Sequence, residues 1–101
     1  MINADPDYVL RFQKGTSDKI WGAVIDSSPN QYFTFWGKVG GVIAFKAWEP
    51  GWHNQSEIRN LMHNKKRKGY SSINIKELPE DAREKFEQAF VMANLGLLRV
   101  K

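Results

Sequence analysis

The sequence predicts an α+β fold: a single domain with a five-stranded antiparallel sheet, one helix inserted before the last strand, and a further C-terminal helix. Three observations predict it. Four runs rich in β-forming residues fill the first half and are separated by short turn sequences, as in an antiparallel meander. Two later segments carry apolar residues at helical spacing, each followed by a stop signal. A short stretch between those segments, Ser71 to Lys76, alternates again and supplies the fifth strand.

The elements follow in order. Tyr8 to Lys14 alternates, with Tyr8, Leu10 and Phe12 on one face. Gly15-Thr16-Ser17-Asp18 is composed of turn residues. Lys19 to Asp26 forms the second strand, through Ile20, Trp21, Val24 and Ile25, and Ser27-Ser28-Pro29-Asn30 turns the chain again. Gln31 to Val39 is the third strand. Gly40-Gly41 suits the positive φ angles of a tight hairpin, and Val42 to Glu49 returns as the fourth. Pro50-Gly51 ends the meander. Asn54 and Glu57 have the spacing of a capping box, and Ile58, Leu61, Met62 and Lys65 follow at helical spacing. Lys65-Lys66-Arg67-Lys68 places positive charge at the negative end of the helix dipole, with Gly69 as the C′ residue. After the fifth strand, with Ile73 and Ile75 on one face, Pro79 opens the last helix. Its apolar stripe is Ala82, Phe86, Ala89, Phe90 and Ala93. Asn94 or Gly96 stops it, and Leu97 to Val100 has the composition of a short terminal strand.

Composition narrows the function. The 101 residues contain no cysteine, which excludes disulfides, thiolate metal sites and cysteine nucleophiles. No apolar run is long enough to span a bilayer. Met1 to Asp7 lacks the basic-then-apolar order of a signal peptide, so a cytoplasmic setting is expected. The net charge is +4, a balance that favours an anionic partner. Residues 1–76 carry 11 basic and 6 acidic side chains, against 4 and 5 in residues 77–101, so an anion-binding surface is expected in the first three-quarters. His53 and His63 lack the spacing of a zinc helix, and the serine pairs lack a nucleophile elbow. The glycines at 37, 40 and 41 precede a strand and lack the lysine–serine pair of a phosphate-binding loop. No catalytic residue, cofactor or metal is expected.

The third strand carries the chemistry. Period two places Phe33, Phe35 and Val39 on one face and Tyr32, Thr34, Trp36 and Lys38 on the other. An aromatic plate beside a cation suits a base or sugar next to a phosphate. The same alternation also fits a Trp36 buried under the helix and a Lys38 that only solubilises the surface. The second candidate surface is the tract Lys65, Lys66, Arg67 and Lys68, with Arg59 one and a half turns earlier. It reads either as a solvated helix end or, together with Lys38, as a track for a phosphate backbone.

These residues resemble the WGR domain family, named for a Trp-Gly-Arg signature that stands here as Trp36-Gly37-Lys38. The ordered set runs from Phe12 and Gly15 through Ser17-Asp18-Lys19-Ile20-Trp21, similar to the Gly-x-Ser-Asp-Lys-x-Trp opening of bacterial members. It continues through Phe35 to Gly40, Lys46-Ala47-Trp48 and Lys68-Gly69-Tyr70. The resemblance divides the chain into a WGR-like domain at 8–76 and a C-terminal helical extension at 77–101, packed on the same domain. It implies a small antiparallel sheet with a helix before the last strand, the order already read from the residues. The family occurs in DNA-dependent poly(ADP-ribose) polymerases and in bacterial proteins related to a molybdate-metabolism regulator. In the polymerases the domain binds DNA near strand breaks. By resemblance, Trp36 would pack against the sugar–phosphate end and Lys38 would hold phosphate. Lysine in place of arginine keeps the charge and loses the bidentate fork. The expected function is therefore non-catalytic nucleic-acid binding, to DNA, by a monomer that does not engage membranes. The alternative is a protein-interaction module, docking through the Phe86/Phe90 helix or an exposed Trp48/Trp52 patch.

Overall fold

The computed structural model describes residues 6–25 and 31–98. Strands β1 (Tyr8–Lys14), β2 (Ser17–Val24), β3 (Tyr32–Lys38) and β4 (Ile43–Trp48) form an antiparallel meander. Helix α1 (Trp52–Arg67) then crosses to β5 (Ser71–Ser72), which pairs antiparallel with β1. A short 3₁₀ turn (Ile75–Glu77) leads into helix α2 (Glu80–Asn94). The sheet order is β4-β3-β2-β1-β5.

The alternation of the strands sends apolar side chains to both faces, and each face takes one helix. Val9, Ile20, Val24, Phe33, Phe35 and Ile43 pack with Leu78 and the α2 stripe. All five stripe residues, Ala82, Phe86, Ala89, Phe90 and Ala93, are buried. Leu10, Trp21, Ala23, Ile25 and Trp48 pack on the opposite face with Ile58 and Met62 of α1. The domain is thus three layers, helix–sheet–helix, and β2 is buried on both sides from Ile20 onward. Continuous burial of a central strand is the consequence of covering both faces.

Local chemistry moves several boundaries. The first hairpin is tighter than composition suggests: Lys14 pairs directly with Ser17, so Gly15-Thr16 alone makes the turn and β2 begins at Ser17. Gly15 takes φ +60°, which costs a glycine little. Helix α1 starts at Trp52 with Gly51 as its N-cap, ahead of the expected Asn54 cap. Asn54 instead donates from Nδ2 to the Glu49 carbonyl. The capping box lies elsewhere: Asn74 accepts from the Lys76 amide, and Glu77 accepts from the Asn74 amide. Those bonds offer the backbone a local alternative to ladder pairing, so the fifth strand ends at Ser72 and Ile75 enters the 3₁₀ turn. Pro79 is the N-cap of α2 and not its first helical residue. Leu97 and Leu98 do not form a strand. Leu98 is held by the Gln31 side chain, which donates to its carbonyl at 2.7 Å and accepts from its amide at 2.9 Å. The expected turn at 27–30, Asp26, and residues 99–100 lie outside the described residues.

Gly22 fixes the packing between sheet and α2. A Cβ there would stand 2.1 Å from Cζ of Phe35, its cross-strand partner. The Phe35 ring is fully buried, with the Phe86 ring 5.3 Å away and the Phe45 ring 6.2 Å away, so it has nowhere to retreat. Overpacking of this kind costs about 1–3 kcal/mol. Gly22→Ala is expected to fall at the upper end of that range, read as a lowered midpoint in urea unfolding. A midpoint equal to that of the parent protein would show that the ring yields without strain.

Candidate nucleic-acid interface

The site forms on the α1 side of the sheet, where the helix leaves the ends of β2 and β3 uncovered. Along β3 burial falls from one end to the other. Thr34 is buried under α1 and accepts a 3.1 Å hydrogen bond from Trp48 Nε1. Trp36, two residues on, is 40% exposed. It is flanked by Trp21 of β2 and Ala44 of β4. A Cβ at Gly37 would stand 2.4 Å from the Val42 carbonyl oxygen, so the middle residue of Trp36-Gly37-Lys38 is glycine for close backbone approach.

Register brings cations together. Lys38 lies directly opposite Lys19 on β2, a like-charge pair that is unfavourable in an empty sheet. Lys65 joins them from α1. It is seven residues from Ile58 and three from Met62, so it continues the buried stripe and its stem runs over the sheet. Its Nζ stands 5.2 Å from the centroid of the Tyr70 ring. Burial first, then the charges of Lys68 and Lys19, lower the Lys65 ammonium below its ordinary pKa. Tyr70 packs on Phe12 with centroids 5.3 Å apart, and burial raises its hydroxyl pKa. Gly69, at φ +109°, turns the chain from the helix end into this position.

Two adjoining depressions result. One, of about 230 Å³, is lined by Lys19, Trp36, Lys38, Lys65 and Tyr70. The other, of about 340 Å³, lies between Trp36, Trp48, Lys46 and Lys65. Lys46 sits 3.9 Å over the Trp48 ring, a cation–π contact that holds its charge beside the exposed tryptophan. Glu57 is the only carboxylate among the described residues lining either depression. Asp18 is next to Lys19 in sequence but is committed elsewhere. It accepts two hydrogen bonds from Arg11, at 2.8 and 2.7 Å, which hold its carboxyl below the usual pKa. Among the described residues, Lys19, Lys38 and Lys65 have no salt-bridge partner.

Of the candidates named from sequence, Trp36, Lys38 and Lys65 converge. Lys68, at the C-cap of α1, is exposed and close enough to act on Lys65. Lys66 and Arg67 are exposed and line neither depression; the helical period puts Arg67 opposite the buried stripe and Lys66 on its flank. Arg59 is exposed and, seven residues before Lys66, shares that flank. The basic run is therefore split by the helical period. Trp48 is buried and hydrogen-bonded and so offers no docking patch, whereas Trp52 is 80% exposed. Lys19, Lys46 and Tyr70 are site residues that single-strand patterning does not select. Among the described residues no cluster of three or more His, Asp or Glu side chains is placed to hold a metal, and no helix is long and apolar enough to cross a membrane.

In comparison with known proteins, no family model, no curated protein and no solved structure matches this chain.

Proposed function

We propose that this protein is a WGR-like, non-catalytic module that binds nucleic acid, DNA in the first instance, along its sugar–phosphate backbone. The carrying observation is the convergence of Lys19, Lys38 and Lys65, without anionic partners, beside the exposed ring of Trp36. Bound phosphates would relieve the repulsion of the Lys19–Lys38 pair. Trp36 would offer its face to a base or sugar at the same place. Lys46 and Lys68 would extend the charge to either side. The cations of this constellation are lysines, which are hydrated point charges without a planar fork. That chemistry favours recognition of backbone charge over recognition of a base edge or a single terminal phosphate. The ordered resemblance from Phe12 to Tyr70 supports DNA as the first substrate to try.

The test is an electrophoretic mobility titration with duplex, nicked and single-stranded DNA at low salt. Trp36→Ala is expected to cost about 1–3 kcal/mol of binding, roughly 5- to 150-fold. Lys38→Ala should weaken binding to all sequences alike and make the salt slope shallower by about one unit. Circular dichroism checks that both variants fold, as the 40% exposure of Trp36 and the exposed Lys38 lead one to expect. Absence of binding to any of the three DNAs at low salt rejects the proposal. It would favour a protein partner, for which Trp52 at 80% exposure is the first residue to change.

A further inference from the structure

We propose that Lys65 is a site of acylation by small acyl phosphates, docked by the lysines that surround it. The site is a cluster on three elements. Lys19 of β2 and Lys38 of β3 face one another across the sheet, and Lys65 of α1 lines the same depression. Two ammonium groups beside Lys65 raise the local concentration of a small phosphate-bearing reagent. Lys65 then stands next to the bound phosphate with its amine as the attacking group.

The chemistry is acyl transfer. The lone pair of neutral Lys65 Nζ attacks the carbonyl carbon of the acyl phosphate. A C–N bond forms, the C–O bond to phosphate breaks, and inorganic phosphate leaves with the bonding electron pair. The amine proton passes to water, and no oxidant or reductant is needed. Burial, then the charges of Lys68 and Lys19, favour the neutral form of Lys65. Lys38 lines the same depression and Lys46 the neighbouring one as further cations, whereas the Tyr70 ring, 5.2 Å from Nζ, and Glu57, the one carboxylate among the described residues there, favour the ammonium. A lysine desolvated beside other cations is the usual form of an activated amine nucleophile. Lys66, the next residue, is exposed and outside the cluster, so the helix carries its own reference. Acylation would remove one charge from the cluster, whichever anion it serves, and so does not depend on a nucleic-acid partner.

The experiment exposes the intact protein to acetyl phosphate at about pH 8 and follows site occupancy by peptide mass spectrometry. Lys65 is expected to acylate about threefold or more faster than Lys66. Lys19→Gln with Lys38→Gln should bring its rate down to that of Lys66, with Lys66 unchanged and folding confirmed by circular dichroism. A neutral N-hydroxysuccinimide ester of acetate, which has no phosphate to dock, should show a smaller preference for Lys65. Equal rates at Lys65 and Lys66 with acetyl phosphate overturn the proposal. So does a Lys65 preference of equal size with the neutral ester, which would leave no role for anion docking.

Discussion

Phe86→Ala is expected to lower the free energy of unfolding by about 3–5 kcal/mol. Phe86 is 1% exposed and stands at the centre of an aromatic cluster. Its ring centroid is 5.9 Å from Phe33, 5.3 Å from Phe35 and 6.0 Å from Phe90. Truncation removes the partner of three rings at once and opens a cavity between α2 and the sheet. Phe33 and Phe35 are fixed to β3 and Phe90 to α2, so they collapse only in part. A domain of this size has a total stability of roughly 5–15 kcal/mol, so the variant should lose a large share of it. Urea unfolding measures the effect through the midpoint, with the slope unchanged if the denatured state is unaltered. Phe86→Leu keeps most of the volume and should cost much less. An alanine variant as stable as the parent protein would show that the face of α2 bearing Phe86 does not pack on the sheet.

The sheet and helices were legible because local pattern and tertiary environment agree. Tyr8 and Leu10 pack together on the α1 face and Phe12 packs on Tyr70, as their alternation indicates, and the α2 stripe at Ala82, Phe86, Ala89, Phe90 and Ala93 is buried as its spacing indicates. What pattern did not disclose is the third layer. Alternation sorts Phe33 and Phe35 from Thr34 and Trp36 but does not say whether the second face meets water or a helix. Thr34 is buried because α1 lies over it and Trp48 Nε1 satisfies its hydroxyl. Threonine at a covered position looks in sequence like threonine at a wet one. The fifth strand was over-read for a different reason. Ile73 and Ile75 alternate, yet Asn74 and Glu77 bind the backbone locally, and the pairing with β1 ends one bond past Ser72, with the Ile73 amide donating to the Val9 carbonyl.

The site was legible in halves. Trp36 and Lys38 share a face by period two alone, and Lys65 follows Ile58 and Met62 by the helical period. The meeting of those two sets depends on strand register and on where α1 crosses, neither of which is local. Lys19 shows the point. It is an ordinary exposed lysine until the pairing of β2 with β3 sets it against Lys38. The basic run at the end of α1 misleads in the opposite direction. Four adjacent cations in sequence are spread around the helix at about 100° per residue, so only Lys65 reaches the sheet and Lys68 stands beside it.

That separation makes the salt dependence of binding the sharpest test of which cations matter. If Lys19, Lys38 and Lys65 each neutralise one phosphate of duplex DNA, the slope of log affinity against log salt is about −2.7. Raising salt from about 50 to about 200 mM then costs roughly 40-fold in affinity. Lys19→Gln, Lys38→Gln and Lys65→Gln together should bring the slope close to zero. What binding persists in that variant should depend on Trp36, because stacking carries little salt dependence of its own. The triple variant also removes the Lys19–Lys38 repulsion, so its fold should be at least as stable as the parent's toward urea. Lys66→Gln with Arg67→Gln removes two charges from α1 that line neither depression and should leave the slope near −2.7. The reverse result, an unchanged slope in the triple variant and a flattened one in the double, would move the interface to the exposed side of the helix that carries Lys66 and Arg67. Trp36 would then be an incidental exposed aromatic, and Arg59, on the same flank of α1 as Lys66, the next residue to change.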